Sequence, residues 1–382
     1  MALQGGCFSF KYEAVAINVY LYRYIWAGFL LFIWSISLSA SVNKHTLAIL
    51  VNKNDPESIE IAEYYQQLRQ IPAGNIIYLD FKAGVDALPV SEFKNITAQL
   101  SAMVPGDIQA YALAWRKPWK VGCMSITSAF SLGFNADYCA EACKTTRPVK
   151  YYNSQSKQPF TDYGIRPSML LSANDIAGVK RLIERGESAD YSRPLGTAYL
   201  LSTSDKQRNV RSRYYPLVTN ALGSILNIEI LKVDAIKNKN SVMFYFTGSQ
   251  KVRGINDNIY LPGAVADHLT SFGGRLFGSG QMSVLDWIDA GVTGTYGTVV
   301  EPCNFVHKFP DPAIVMKKYL SGSTLIEAYW KSVRMPGQGL FVGEPLAAPY
   351  KGCKVIIGQH GKPIYMDIAA ENYVERVSRS CN

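Results

Sequence analysis

From Thr46 onward, short runs of consecutive apolar residues alternate with segments in which apolar positions return every three or four residues. "HTLAILVNK" reads as a strand, and "NDPESIEIAEYYQQLRQ" as a helix with Asp55 as N-cap, Pro56 in the first turn and Ile59, Ala62 and Leu68 along one side. "NIIYLDF" is the next strand, Ser91 is placed to cap a helix running to about Met103, and "IQAYALAW" is a third strand. Three strands joined by two helices form a βαβαβ unit, which predicts a parallel sheet covered by helices.

Residues 116–167 break that rhythm. They are aromatic and cysteine-bearing without sustained periodicity, and read as a long insertion at the carboxyl end of a strand, where open α/β sheets place ligand sites. Alternation resumes with "SMLLSAND", the helix "IAGVKRLIERG", the strand "TAYLLST" and a helix from Val210 to about Ile225. "NIEILKV" and "VMFYFTG" follow as strands, the second continuous enough to be buried on both faces. "LPGAVADHLTSFGG", bounded by glycines and carrying a histidine, reads as a loop. The helix "SVLDWIDAG", the strand "GTYGTVVE", a helix opened by a Thr324/Glu327 capping box and the strand-like "GLFVGEPLAAPY" complete the body. Residues 354–369 read as a terminal hairpin turning at His360 and Gly361. The expected fold class is α/β, doubly wound. It has a mostly parallel sheet with helices on both faces, one domain over 41–382 and the insertion at 116–167.

Residues 1–40 follow a different pattern. Arg23 precedes an apolar run from Tyr24 to Leu38 that ends in the small residues "SLSAS", the order of a secretory signal peptide or, if uncleaved, an N-terminal membrane anchor. Export to a periplasmic setting is the expectation, with membrane contact only through this segment. The net charge of +9 lacks any basic run, so no nucleic-acid partner is expected. An apolar share of 48% excludes intrinsic disorder. Beyond Cys7, the cysteines are Cys123, Cys139, Cys143, Cys303, Cys353 and Cys381. In an oxidising compartment disulfides are their default, and Cys123, Cys139 and Cys143 are placed to pin the insertion.

The chain has four histidines, of which His268 and His307 fall where chemistry is possible. A cysteine nucleophile needs an imidazole beside it, so one candidate set is Cys303 as nucleophile, His268 as base and Glu301 or Asp267 as orienting group. A weaker alternative uses Ser271, with backbone N–H groups at Gly273 and Gly274 for an oxyanion, although the Gly-x-Ser-x-Gly spacing is missing. Glu301, Cys303 and His307, completed by His268, form a metal-ligand alternative. "GSGQMS" fails the dinucleotide pattern, and no cofactor motif is present. In the insertion, Trp115, Trp119, Tyr138, Tyr151 and Tyr152 offer a stacking surface for a sugar or peptide.

"LVNKNDPESIEIAEYYQQLRQIP", "CMSITSAFSLGF", "YLPGAVADHLTSFGG", "QMSVLDWIDAGVTGTYGTVVEPCNFVHKFPDP" and "STLIEAYWKSVRMPGQGLFVGEPLAAPY" together resemble an exported bacterial family of unknown function. More remotely that family is similar to gingipain-like cysteine peptidases of caspase-type fold, through strand order, "AGVTGTYGTV" and the closing "GEPL". The resemblance implies a caspase-like fold as the alternative to a doubly wound one, a histidine after "VMFYF", where this chain has Thr247 and Gly248, and a cysteine where it has Asp267, His268 and Ser271. Two readings follow: a non-catalytic binding module for a peptide, glycan or envelope protein, and a hydrolase whose pair has been rebuilt from Cys303 and His268.

Overall fold

A computed structural model describes residues 41–140, 143–357 and 363–367. The centre is a ten-stranded sheet whose strands we number β1 Leu47–Asn52, β2 Ile76–Leu79, β3 Ala110–Leu113, β4 Ser168–Leu170, β5 Thr197–Leu201, β6 Asn227–Leu231, β7 Val242–Gly248, β8 Tyr260–Leu269, β9 Gly294–Thr298 and β10 Gly339–Gly343. Their spatial order is β2-β1-β3-β4-β10-β9-β8-β7-β5-β6. All pairings are parallel except β9 with β10. The sheet is therefore two parallel blocks, one on each side of the β9/β10 junction, running in opposite directions. Consequently the carboxyl ends of the β1–β4 block and of the β5–β9 block lie at opposite ends of the sheet. The expected α/β class is what the chain adopts.

The helices are α1 Pro56–Arg69, α2 Val90–Met103, α3 Ile126–Leu132, α4 Pro159–Tyr163, α5 Ile176–Ser188, α6 Tyr215–Leu222, α7 Leu285–Asp289, α8 Pro312–Leu320 and α9 Leu325–Ser332. Both sheet faces are covered. A side chain at Gly294 of β9 would strike Leu325 of α9, whereas one at Gly297, three residues on and on the other face, would strike Val284 just before α7. Strands β1 and β7 are buried at every position, as parallel strands with helices on both sides must be.

Several starts and stops follow the sequence. Asp55 accepts from the Glu57 N–H with Pro56 in the first turn of α1, and Thr324 and Glu327 close the capping box of α9. Others differ for local reasons. Helix α2 begins at Val90 after Pro89, so Ser91 lies within the first turn instead of capping it. The expected helix from Val210 to Ile225 is a 3₁₀ turn at Asn209–Tyr214 followed by α6, because Pro216, which has no N–H to give, fits only a first helical turn. Residues 353–357 and 363–367 pair antiparallel, and the turn between them, with His360, lies outside the described residues.

The largest correction concerns "LPGAVADHLTSFGG". Its first nine residues belong to β8, which lies between β7 and β9. The pairing with β7 shifts register between Val242/Phe244 and Tyr260/Val265, so Pro262 and Gly263 sit in a bulge, with Gly263 at φ +88°. The proline and glycine that suggested a loop mark an irregularity within a strand.

The insertion is also more structured than its pattern suggests. Lys120–Val121 and Met124–Ser125 join Ala87–Leu88 in a small three-stranded sheet, and α3 packs on the core. It leaves the carboxyl end of β3 and returns at the amino end of β4. Because the blocks oppose, that return point is on the same side as the carboxyl ends of β7, β8 and β9. Among the described residues no helix is long and apolar enough to cross a membrane. The run from Tyr24 to Leu38 lies outside them.

Candidate functional site

Consecutive residues of a strand point to opposite faces, and β8 applies this to the two residues of most interest. His268 faces α7. Its Nδ1 accepts from the Trp287 indole N–H at 2.9 Å and its Nε2–H donates to the Met282 carbonyl at 3.1 Å. With Nδ1 accepting, the neutral ring carries its proton on Nε2. The ring is 1% exposed, and burial, aided by the charges of Arg211 and Arg208, pushes its pKa down to about 4 against the pull of the Met282 bond. Both nitrogens are committed, so His268 is a neutral structural link and not a free base.

Asp267 faces the other side. It forms a buried ion pair with the guanidinium of Arg211, whose Nη2 also donates to the Thr247 carbonyl at 2.8 Å and whose Nη1 donates to Pro310 O at 3.3 Å. Burial lifts the Asp267 carboxyl above its ordinary range while Arg211 pulls it back. Asp267 therefore has no route to orient His268.

Cys303 follows β9, where its sulfur is bonded to Cys143 of the insertion, with Cα atoms 5.4 Å apart. Glu301 Oε1 accepts the Cys303 N–H at 2.7 Å, so the carboxylate caps the local turn. The structure does not assemble the set of Cys303, His268, Glu301 and Asp267: the thiol is in a disulfide, the imidazole is bonded elsewhere, and the two carboxylates serve other partners. Among the described residues no group of three or more His, Cys, Asp and Glu side chains is arranged to hold a metal, so Glu301, Cys303 and His307 do not converge. Ser271 is half-buried and its carbonyl accepts from the Thr298 hydroxyl at 2.9 Å. The Gly274 N–H is spent on Thr298 O, which removes one donor from the oxyanion arrangement.

The insertion cysteines pair as Cys123–Cys139 and Cys143–Cys303. Two disulfides fit an oxidising compartment. The aromatic surface is not one: Trp115 is fully buried and Trp119 5% exposed, because they supply the insertion with its core. Thr247, also fully buried, contributes its carbonyl to Arg211.

At the carboxyl ends of β7 and β8 the structure holds a crevice of about 110 Å³. It is lined by Tyr152 of the insertion, by Arg211 and Tyr214, and by His307, Pro310 and Pro312 of the segment following β9. The walls are fixed. Besides Cys143–Cys303, Lys308 Nζ donates to Lys144 O at 2.7 Å, and Asn153 N and Lys318 Nζ bond to Lys331 O and Ser154 O at 2.8 and 2.9 Å. Desolvation lowers the Lys308 pKa to about 8.

Sequence reasoning named His307 and Tyr152 and missed Arg211 and Tyr214. A signal was present: Arg211, Tyr215, Val218 and Leu222 recur at helical spacing and all are buried, which puts one arginine on an apolar stripe. A charge in that position requires a buried partner, and Asp267 is that partner.

No family model matches the sequence, and no curated protein matches it. A solved structure described as "Structure of Protease" overlays with a TM-score of 0.41 and 10% identity, covering 83% of this chain and 82% of that one. So distant a likeness bears on neither activity nor residues.

Proposed function

We propose that the chain is an exported, non-catalytic binding protein that takes a peptide segment into the crevice between the insertion and the segment after β9. The observation that carries this reading is the commitment of both ring nitrogens of His268 and of the Cys303 sulfur, beside which the crevice is a feature open to a ligand. Its place at the carboxyl ends of parallel strands is where α/β sheets bind ligands. Its rigid aromatic and proline walls suit a narrow chain with protruding side chains. A glycan is less well served. The described tryptophans Trp115, Trp119, Trp287 and Trp330 are all buried, so none offers an indole face for a sugar ring.

The test is to incubate the unreduced protein with a panel of short synthetic peptides, measure binding by calorimetry, and recover the peptides for mass analysis. The reading expects binding that Tyr214→Ala weakens, with every peptide recovered intact. Cleavage that disappears in His268→Gln would overturn it in favour of the hydrolase.

A further inference from the structure

The ten-stranded sheet has two edges, and they differ. β2 is four residues long and ends at Asp80, whose carboxylate pairs with Lys53 at 2.7 Å, and charges of that kind keep strand edges apart. β6 is the edge strand on the other side. It holds no proline and pairs with β5 without a shift of register, and its internal charge, Glu229, is engaged by Lys239 at 3.7 Å. Ile230 is 40% exposed, and Val233, just beyond the strand, 42%. An apolar edge with no guard is a template for another strand.

The backbone decides how a second strand can lie there. The Ser202 N–H donates to Leu231 O at 2.8 Å, so Leu231 and, at every second residue before it, Glu229 and Asn227 turn their backbone groups inward to β5. Ile228, Ile230 and Lys232 turn theirs away from the sheet. A second copy laid antiparallel about a two-fold axis at Ile230 sets Ile230 opposite Ile230, Ile228 opposite Lys232 and Glu229 opposite Leu231. No like charges meet in that register. An axis at Glu229 brings two carboxylates face to face, and one at Lys232 two ammonium groups. An axis at Leu231 needs Asp234, three residues past the end of β6, to complete the pairing.

The flank of the edge matches as well. Ile228 packs toward the core that holds Val218 and Leu222 of α6, and Leu231 toward that of Tyr199 and Tyr245, so the outward-bonding residues carry their side chains on the α6 face. A shallow hollow of about 360 Å³ lies beside Ile228, lined by Thr219 and Gly223 at the carboxyl end of α6. We infer that the chain forms a two-fold dimer through its β6 edges, which joins two ten-stranded sheets into one. Ile230 packs on its counterpart, and the outward N–H and C=O groups of Ile228, Ile230 and Lys232 are all paired. The partner's Lys232 lays its methylenes along Ile228 and brings its ammonium to the carboxyl end of α6, where the helix dipole is negative. The dimer does not depend on a ligand in the crevice.

The experiment is sedimentation of the unreduced protein over a concentration series, beside Ile230→Lys, Ile230→Glu and an equimolar mixture of the two. The inference expects a monomer–dimer equilibrium in the wild type and a dissociation constant about tenfold or more weaker in either variant, since each sets like charges on the axis. The mixture dimerises again, because the two substituted side chains then face each other. Ile230 is partly exposed, so both variants keep the wild-type fold, read by far-UV circular dichroism. Hydrogen exchange reads the same edge with no substitution: amide protection over 227–233 rises with protein concentration. A wild type still monomeric at about 100 μM overturns the inference and leaves the edge to a strand of another protein. A dimer that both substitutions leave intact, or exchange over 227–233 that ignores concentration, overturns it too. A mixture that stays monomeric overturns the axis at Ile230.

Discussion

Asp267 and His268 are neighbours on one strand, equally buried, and they meet opposite fates. On the α7 face His268 is neutral with each ring nitrogen bonded once. On the other face Asp267 and Arg211 form a buried ion pair, each depending on the other. A polar residue whose hydrogen-bonding capacity is filled by its own fold holds the fold together. A buried charge is tied instead to its counter-ion. Burial does not separate these cases, and charge does.

That contrast breaks first where charge is involved. Asp267→Ala leaves Arg211 buried without its counter-ion and is expected to cost about 4 kcal/mol in urea unfolding, while the double variant Asp267→Leu/Arg211→Met recovers most of it. A single variant that unfolds like wild type would mean the pair is hydrated.

The neutral side responds to pH. The His268 pKa falls from an unfolded value near 6.5 to about 4 in the fold. The unfolded chain therefore binds more protons between those values, and the histidine's contribution is present above about pH 6.5 and lost as pH falls toward 4. The change is about 3 kcal/mol across that window, and His268→Gln flattens it. An unchanged slope in the variant would show that the ring is not the titrating group.

Reduction gives a smaller effect. Cys303→Ser removes the tie between the insertion and the segment after β9, and a loss of about 2 kcal/mol is expected, at the low end for a disulfide because Lys308 still bonds Lys144 O. The smallest effect sharpens the comparison most. Tyr214, 41% exposed, should change stability by less than about 0.5 kcal/mol when replaced by alanine, while ligand binding falls. A large loss of stability would place Tyr214 with the structural residues.

The α/β alternation and the α1 and α9 caps were legible because they depend on local period and capping chemistry. β8 was not, since its bulge at Pro262 and Gly263 carries the residues of a turn and its pairing to β7 is long-range information. For the same reason the reversal at β9/β10 is invisible in the sequence: "GLFVG" reads as a strand whichever way it runs. Cys303 and His268 were singled out by residue type. What decides their roles is which face of β8 the ring occupies and which cysteine lies across the sheet end, and neither is written in spacing. Arg211 was legible in principle, as one charge on the stripe of Tyr215, Val218 and Leu222.

The most direct measurement is iodoacetamide labelling of Cys303 across pH in the unreduced protein, beside His268→Gln. The account predicts no labelling until the Cys143–Cys303 bond is reduced, and then an ordinary thiol, reactive near pH 8.5 and unaffected by the histidine. Rapid labelling of the unreduced protein well below that pH, abolished in His268→Gln, would establish a thiolate and imidazole pair and contradict the binding-protein reading.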